Sequence, residues 1–296
     1  MVTKLNIKND KENILNGIDR MKSQLKKLTS EKELLETELS AIREELGKFR
    51  EVVREKQGEE PETKGKRRTD YYEEKLSEAL NYIFGKGKNG KETWAFGDVK
   101  EIHEKIYRQV KGRWARAFEI SYDSPEDYLR NHVPNVARLV TFIAAQLGWN
   151  EYMVEVVGVA ALLHDVGMAW VPGSILNKKS RLNEDEMKVI REHPKHGANL
   201  LKGAGGMFQQ YSLVVLQHHE RENGSGYPRG MLGAGIHDIA RVIGVADAYE
   251  AMVAPRVYRR SKTPEQAMKE LEELAGKGVF DPLVVEMFGE KAMKYV

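Results

Sequence analysis

Apolar residues recur with alternating spacings of four and three along the first part of the chain, and this repeat constrains the fold more than any other feature of the sequence. An apolar repeat of about 3.5 residues, kept over several heptads, predicts a left-handed coiled coil. Lys32 interrupts the apolar seam and favours two strands, because a larger oligomer would bury more of its charge. In a parallel pair, Glu38 of one strand faces Arg43 of the other, which is an attractive contact. The seam consists of Ile14, Ile18, Met21, Leu25, Leu28, Leu35, Leu39, Ile42, Leu46, Phe49 and Val53.

The distribution of charged and aromatic residues divides the chain in two. Residues 1–70 contain 32 of the 92 charged residues and a single aromatic residue, Phe49. Such a segment cannot build a globular core, whereas residues 71–296 can. A single solvated amphipathic helix is the alternative interpretation of the first segment. We predict a coiled coil over residues 1–56 that forms a homodimer through residues 11–56, a linker over residues 57–70, and one helical domain over residues 71–296.

The segment after the seam is typical of a linker, because Gly58, Pro61 and Gly65 interrupt the repeat. Four basic residues lie beside these positions, between Lys64 and Arg68. A short run of like charge fits a solvated hinge, and contact with a polyanion is the alternative.

The bulk properties of the chain argue against several classes of function. A formal net charge of +2 argues against a general DNA- or RNA-binding protein, which is normally strongly basic. The first ten residues, MVTKLNIKND, lack the apolar stretch of a signal peptide. The longest apolar run, residues 152–163, is too short to span a membrane. We therefore expect a cytoplasmic protein with no membrane insertion.

The apolar spacing after residue 71 is helical, and strand alternation is scarce, so the sequence predicts an all-α domain. Ser124 and Pro125 form a helix start, and that helix is expected to end before Gly148. Another helix is expected to begin near Asn183 and to continue past His193. The remaining predicted helices of this domain cover residues 70–85, 99–118, 151–164, 207–219, 239–252 and 264–275, with a glycine-rich loop over residues 222–235.

Histidine and aspartate residues concentrate at helix ends and on apolar faces. A single such histidine is commonly a structural residue whose ring nitrogens are hydrogen-bonded. Asp247 lies in the otherwise apolar helix VIGVADAYEAM, where a carboxylate is costly unless it is paired or bound to a metal ion. The chain has no cysteine, so a transition-metal site must use imidazole and carboxylate, which suits iron, manganese or zinc. The candidates are His132, His164, Asp165, His193, His218, His219 and Asp247.

Ordered motifs over residues 125–283 resemble the HD-GYP phosphodiesterases of the HD metallohydrolase superfamily. A lone HD pair is a weak signal, whereas several motifs in order are specific. A second HD pair, His237-Asp238, lies where the family carries no ligands and is not counted. The matching pieces are His164-Asp165-x-Gly167, Ser174–Lys178, His193-Pro194, His218-His219-Glu220, Gly224-x-Gly226-Tyr227-Pro228, Val245–Asp247 and Arg256-x-Tyr258-Arg259.

The resemblance implies a helical HD-domain bundle that holds two or three divalent ions, iron or manganese, with zinc as a further option. Family members hydrolyse cyclic di-GMP to the linear dinucleotide, and sometimes on to GMP, with a hydroxide that bridges the ions. Some members act on cyclic GMP-AMP dinucleotides. Carried over to this chain, His132, His164, Asp165 and Asp247 hold one ion, and His193, His218 and His219 hold the other. Asp165 bridges the two ions and is the catalytic carboxylate. Arg256 and Arg259 would contact phosphate, and Tyr227 would orient the loop and stack near a guanine or simply plug a turn.

Three positions depart from the family pattern. Met168 stands where the family usually has a lysine that assists at the phosphate, and Asn223 stands where it usually has aspartate. Losing one preorganised cation can cost about 10²–10³ in rate. Tyr128 stands where members with three metal ions carry glutamate. The departures therefore predict two ions and a product that stops at the linear dinucleotide.

Three functional interpretations stay open at this point. The first is an active two-metal cyclic di-GMP phosphodiesterase. The second is a degenerate, slow or inactive member that serves as a cyclic-dinucleotide receptor or scaffold, which Met168 favours. The third is a metal-dependent phosphohydrolase of another nucleotide, since fold does not fix substrate. A signalling protein partner would act through the predicted coiled coil, the linker or residues 71–120.

Overall fold

The structure is a computed structural model that describes residues 68–86, 93–120, 128–176, 178, 180–255 and 261–295. The predicted coiled coil and nearly all of the predicted linker lie outside these residues, as do Arg256 and Arg259. Residue contacts divide the chain into two compact units, Met1–Lys64 and Gly65–Val296. The architecture below is that of the second unit.

The described residues form an all-α domain, which confirms the predicted fold class. They contain no strand, and their one isolated β-bridge joins Asn223 to Leu232 across the glycine-rich loop. The helices are α1 (Arg68–Phe84), α2 (Phe96–Val110), α3 (Tyr128–Gln146), α4 (Glu151–Leu163), α5 (Gly173–Leu176), α6 (Glu184–Arg191), α7 (His193–Ala204), α8 (Ser212–Gln217), α9 (Asp238–Val253), α10 (Pro264–Gly276) and α11 (Pro282–Ala292).

Local sequence explains where several of these helices begin and end. Helix α3 ends before Gly148, whose φ of 75° is a left-handed conformation that glycine adopts without steric cost. The side chain of Asn150 caps α4 by accepting from the backbone N–H of Met153 at 2.9 Å. Asn183 and Glu186 form a reciprocal capping box at the start of α6. The predicted end at Gly148 and the predicted start near Asn183 are thus confirmed.

Other boundaries differ from the predictions. The helix predicted to run past His193 ends at Arg191, and α7 begins at His193, because Pro194 lacks the backbone N–H that a continuing helix would need. The region 207–219 contains a short 3₁₀ turn followed by α8 rather than one helix. Helix α1 begins at Arg68, three residues before the predicted domain boundary. Helix α11, capped by Asp281, was not predicted.

The core forms where α3, α4 and α9 pack together, with α11 closing one side. Phe142 of α3, Tyr249 of α9 and Phe288 of α11 are almost fully buried, and their rings meet edge to face. Residues Glu151–Trp170 are long and apolar enough to cross a membrane, but 72% of an 18-residue window within them is buried inside the domain, as is usual for the core of a folded protein. This packing fixes the helix ends that carry the candidate ligands.

Candidate metal centre

Five helices bring the seven predicted ligands together. His132 projects from α3, Asp247 from α9, and His193 is the first residue of α7. The remaining ligands follow helix ends: His164 and Asp165 come directly after α4, and His218 and His219 come directly after α8.

His132, His164 and Asp247 form the first cluster, in which one donor atom of each residue lies within 4.8 Å of the others. The Nε2 atom of His132 is 3.3 Å from Nε2 of His164 and 3.3 Å from Oδ1 of Asp247. Both histidines are almost fully buried. The first cluster therefore offers two imidazoles and one carboxylate to a shared position.

His193, His218 and His219 form the second cluster, with the same spacing limit of 4.8 Å between donor atoms. The Nε2 atoms of His193 and His218 are 3.1 Å apart. The rings of His218 and His219 lie close, with centroids 4.1 Å apart. The second cluster therefore offers three imidazoles.

The carboxylate of Asp165 lies between the two clusters. Its Oδ1 atom is 3.1 Å from Nε2 of His193 and 3.9 Å from Nε2 of His218, in the second cluster. Its Oδ2 atom is 3.5 Å from Nε2 of both His132 and His164, in the first cluster. One carboxylate thus presents a different oxygen to each cluster, which is the arrangement that a bridging ligand requires.

Backbone carbonyls orient three of the histidine rings in the same way. The Nδ1 atom of His164 is 2.6 Å from the carbonyl oxygen of Ala161, three residues earlier on α4. His193 and His218 repeat this contact, at 2.8 Å and 2.7 Å, with the carbonyls three residues before them. A carbonyl only accepts, so each Nδ1 carries the proton and each Nε2 presents a lone pair.

His132 is oriented by a carboxylate instead of a carbonyl. Its Nδ1 atom is 2.7 Å from Oε2 of Glu250, which lies one turn after Asp247 on α9. Asn135, one turn after His132 on α3, donates to the other oxygen of Glu250 at 3.1 Å. Neither Glu250 nor Asn135 was predicted from the sequence as a site residue. Their signal is the three-residue spacing from a ligand, which places each on the ligand's helix face.

The environment holds both aspartates in their charged form. Burial alone would raise the pKa of Asp165, but the imidazoles of His164, His193 and His132 outweigh it and hold the pKa well below the usual range. Burial also opposes the charge on Asp247, and the hydrogen bond and charge of His132 again lower the pKa. Two buried carboxylates therefore face buried imidazoles in a low-dielectric interior.

The histidines of the two clusters differ in their electrostatics. Burial, reinforced by His164 and His193, lowers the pKa of His218 to about 3. Burial likewise lowers the pKa of His219 well below its ordinary value. Burial would also lower the pKa of His132, but Glu250 and Asp247 outweigh it and raise the pKa to about 10. Negative charge therefore concentrates around His132.

The donor set fits a pair of divalent cations. In the second cluster, His193 and His218 both carry their protons on Nδ1, so two lone pairs face each other across 3.1 Å. Converging acceptors without a proton between them are unfavourable unless a cation lies among them. Imidazole nitrogen and carboxylate oxygen suit iron, manganese and zinc. The residues present therefore match the metal ions that the resemblance implies.

The glycine-rich loop is fastened to the second cluster. Buried Glu220 accepts the backbone N–H of Arg229 at 2.7 Å and that of Met231 at 2.8 Å, so its carboxylate closes the loop. The backbone N–H of Tyr227 donates to the carbonyl of His219 at 3.1 Å. A Cβ added at Gly226 would lie only 2.5 Å from the Cα atom of Glu220. Glycine is therefore required at this close approach.

Met168 lies in an apolar environment directly after the HD motif. It is 8% exposed and forms a small core with Leu129 and Val171, against which Ile175 and Ile190 pack. A methionine side chain fills such a gap readily. The position that usually carries a lysine in the family is therefore lined by apolar side chains in this chain.

Two of the three histidines outside the clusters, His103 and His237, have structural contacts of their own. His103 is buried between α2 and α4, where its Nε2 atom is 3.4 Å from the hydroxyl of Thr141. His237 caps α9 by accepting the backbone N–H of Ile239 at 3.2 Å, and Asp238 pairs with Arg241. The second HD pair thus belongs to a helix start.

Comparison with known proteins identifies the family. Residues 109–284 match the family described as HD domain, and this span covers more than half of the chain. The chain belongs to the HD domain family. The match confirms the family resemblance of the sequence motifs and agrees with the all-α architecture.

Curated relatives match this HD domain protein over part of its length. It is 39% identical over 189 residues to the cyclic di-GMP phosphodiesterase response regulator RpfG of Xanthomonas campestris pv. campestris, covering 64% of this chain and 48% of the relative. It is 37% identical over 158 residues to a cyclic di-GMP phosphodiesterase of Thermotoga maritima, covering 53% and 43%. This HD domain protein thus spans less than half the length of these relatives.

A solved structure shows a weaker likeness. The protein described as Bd1817, a HDG"Y"P protein from Bdellovibrio bacteriovorus, superposes with a TM-score of 0.47 at 17% sequence identity. The superposition covers 78% of this HD domain protein and 74% of that chain.

Proposed function

We propose that this HD domain protein is a two-metal phosphodiesterase that hydrolyses cyclic di-GMP to the linear dinucleotide. The observation that carries the proposal is the position of Asp165, whose two oxygens face two separate histidine clusters. The curated relatives named above are cyclic di-GMP phosphodiesterases, which supports the choice of substrate. Iron or manganese is the proposed metal, with zinc as the next choice.

The first cluster and Asp165 would hold one ion, and the second cluster and Asp165 would hold the other. When bound, a pair of divalent ions supplies charge that polarises a phosphoryl group and lowers the pKa of water to about 7. The protein contributes fixed positions for seven donors and a buried surrounding, in which charges interact more strongly than in water. The negative charges of Asp165 and Asp247 would offset half of the positive charge of two divalent cations, which lowers the cost of burying the ions.

The glycine-rich loop would form one wall of the substrate site. The Tyr227 ring stacks on the ligand His219, so the loop position is tied to the metal centre. Arg256 and Arg259, outside the described residues, remain the proposed phosphate contacts, because guanidinium binds phosphate in a bidentate manner. We propose two ions because Tyr128 replaces the glutamate of three-metal members, and the linear dinucleotide would then be the final product.

A second candidate function is a cyclic-dinucleotide receptor with slow or no turnover. The apolar neighbours Leu129 and Val171 of Met168 favour it, because an uncharged side chain stands where the family has lysine. Hydrolysis of another nucleotide is the third candidate.

An activity assay with a matched pair of variants separates these functions. The full chain, purified without oxygen and loaded with Fe(II) or Mn(II), is incubated with cyclic di-GMP, cyclic GMP-AMP or other nucleotides, and the products are separated by chromatography. We expect linear dinucleotide from cyclic di-GMP. His164→Ala should abolish the product and reduce the bound metal, whereas His103→Gln, which changes a buried histidine outside both clusters, should keep both. Tight nucleotide binding without product would support the receptor instead.

The proposed homodimer forms through residues 11–56 of the predicted coiled coil. Its support is the heptad repeat, and its test is sedimentation of the full chain. We expect a dimer for the natural chain and a monomer when Leu25 and Leu39, both in the seam, are replaced by aspartate. A signalling partner and a cytoplasmic location belong to the same proposal and would be checked by affinity purification and fractionation.

A further inference from the structure

The carboxylate of Glu250 distinguishes the first cluster from the second. We infer that Glu250 is a positioning residue that fixes the ring of His132 and makes the first cluster the tighter of the two cation positions. The inference rests on the proposed two-metal centre and deepens it, because it assigns unequal affinities to the two positions and names the residue responsible.

Glu250 is held by contacts on both oxygens. Its side chain is completely buried, with Oε2 at 2.7 Å from Nδ1 of His132 and Oε1 at 3.1 Å from Nδ2 of Asn135. The side-chain oxygen of Asn135 in turn accepts from Arg138, which also donates to the carbonyl of Glu119 at 2.9 Å. The carboxylate is therefore fixed by a hydrogen-bonded chain that ties α9 to α3.

A carboxylate at this position does more than the carbonyls behind the other rings. An ionised carboxylate only accepts hydrogen bonds, so it requires a proton on Nδ1 of His132 and makes Nε2 the ring atom that would bind a cation. Its full negative charge also raises the basicity of the ring, which strengthens the bond from Nε2 to a metal ion. His164, His193 and His218 have only a neutral carbonyl behind Nδ1.

The charges around the two clusters also favour cation binding at the first cluster. The first cluster contains the carboxylate of Asp247 and has Glu250 directly behind His132. The second cluster consists of three imidazoles, and the guanidinium of Arg221 lies beside it, where it donates to the carbonyl of His218 at 3.1 Å. Asp165 is shared, and the second oxygen of Asp247 is 3.7 Å from Nδ1 of His219. A divalent cation is therefore attracted more strongly to the first cluster.

Stepwise removal of metal from the full chain tests the inference. The protein is loaded with Mn(II), dialysed against increasing EDTA, and the ions per chain are counted by elemental mass spectrometry. We expect the natural chain to release its ions in two steps. Glu250→Gln preserves the shape but not the charge, and its amide can donate or accept, so the ring proton is no longer fixed. In this variant, the EDTA concentration that releases the later ion should fall by about 10–100-fold.

Two control variants separate a positioning role from a general effect on folding. Glu250→Asp keeps the charge and should retain the tighter ion better than Glu250→Gln. Thr141→Val removes a buried hydrogen bond on α3 away from both clusters and should leave both release steps in place. Thermal unfolding of each metal-free variant shows whether the domain is folded.

The outcomes distinguish this inference from the proposed function. Release of both ions from Glu250→Gln at the same EDTA concentrations as from the natural chain overturns the inference, and so does a natural chain that binds no divalent ion. A natural chain that releases its ions in two steps, of which only the later is shifted by Glu250→Gln, supports the inference. If that chain hydrolyses no cyclic dinucleotide, the proposed function is wrong while the inference stands.

Discussion

The ring of Tyr227 stacks on the ring of His219, with centroids 4.6 Å apart and planes inclined by 26°. The guanidinium of Arg191 lies 5.5 Å from the centroid of the same tyrosine ring. The Tyr227 ring, which belongs to the glycine-rich loop, thus contacts both the proposed metal ligand His219 and the cationic side chain of Arg191. The sequence left two roles open for Tyr227, orienting the loop near a guanine and plugging a turn, and both stay predictions.

The stack predicts that the ring of Tyr227 matters more than its hydroxyl. Tyr227→Phe keeps the stacked ring, so KM for cyclic di-GMP should change less than about threefold, below about 0.7 kcal/mol. Tyr227→Ala removes the aromatic contact with His219, and KM should rise about tenfold or more. Steady-state kinetics checks this, with metal content measured in parallel. Equal effects of the two substitutions would contradict a role for the ring.

Gly167 allows α7 to approach the HD motif. An added Cβ would lie 2.0 Å from the carbonyl oxygen of His193 and 2.6 Å from the backbone N of Gly197, so Gly167→Ala must displace α7. We expect a loss of about 1–3 kcal/mol in the free energy of unfolding, as in overpacked cores, together with weaker metal binding, because His193 would move away from Asp165.

Gly97→Ala is the matched control. An added Cβ at Gly97 meets no atom within 4 Å, and the residue lies in the first turn of α2, far along the chain from the ligands. Alanine should therefore stabilise the domain by up to about 1 kcal/mol and leave metal binding unchanged. Denaturant unfolding and metal counting on both variants provide the comparison. Similar losses for both would show that neither effect comes from the close approach.

The sequence predicted what depends on local signals. Gly148 and Asn183 mark helix ends because their preferences act within one turn, and the order of the motifs identified the seven candidate ligands. Glu250 was missed because its partner His132 lies 118 positions away, a pairing that only the packing of α9 on α3 creates. The break at Glu192 was missed although Pro194 signalled it, because the apolar spacing on both sides is helical.

Met168 provides a test of the two main functional candidates. Met168→Lys places an ammonium beside Leu129 and Val171, and it should lower the free energy of unfolding by about 1–3 kcal/mol. An ammonium that leaves this apolar core for the phosphate of the substrate should raise kcat, by up to about 100-fold. Rapid-quench or steady-state hydrolysis of cyclic di-GMP measures the change.

Met168→Leu is the control, because it keeps an apolar side chain of similar volume. We expect less than about 1.5 kcal/mol of change in stability and an unchanged kcat. If Met168→Lys keeps both metal ions and does not increase turnover, the missing lysine is not what limits the reaction. The receptor function would then gain support.

His103 should make the stability of the domain depend on pH. Burial lowers its pKa to about 4, although Glu155 acts in the opposite direction, while in the unfolded chain the ring titrates near 6.5. Between these two values the unfolded chain binds a proton that the folded chain does not. The contribution of neutral His103 is therefore complete above about pH 6.5 and declines as the pH falls towards 4, by about 3 kcal/mol in total.

His103→Gln isolates this contribution, because glutamine stays neutral throughout. The metal-free natural chain and the variant would be unfolded with urea at several values between pH 7.5 and pH 4. The histidines of the two clusters titrate in both proteins, so the difference between the two free energies of unfolding reports His103 alone. We expect the natural chain to lose about 2–3 kcal/mol relative to the variant over this range, because it alone acquires a proton at position 103 on unfolding. Parallel pH profiles for the two proteins would show that His103 is protonated equally in the folded and unfolded states.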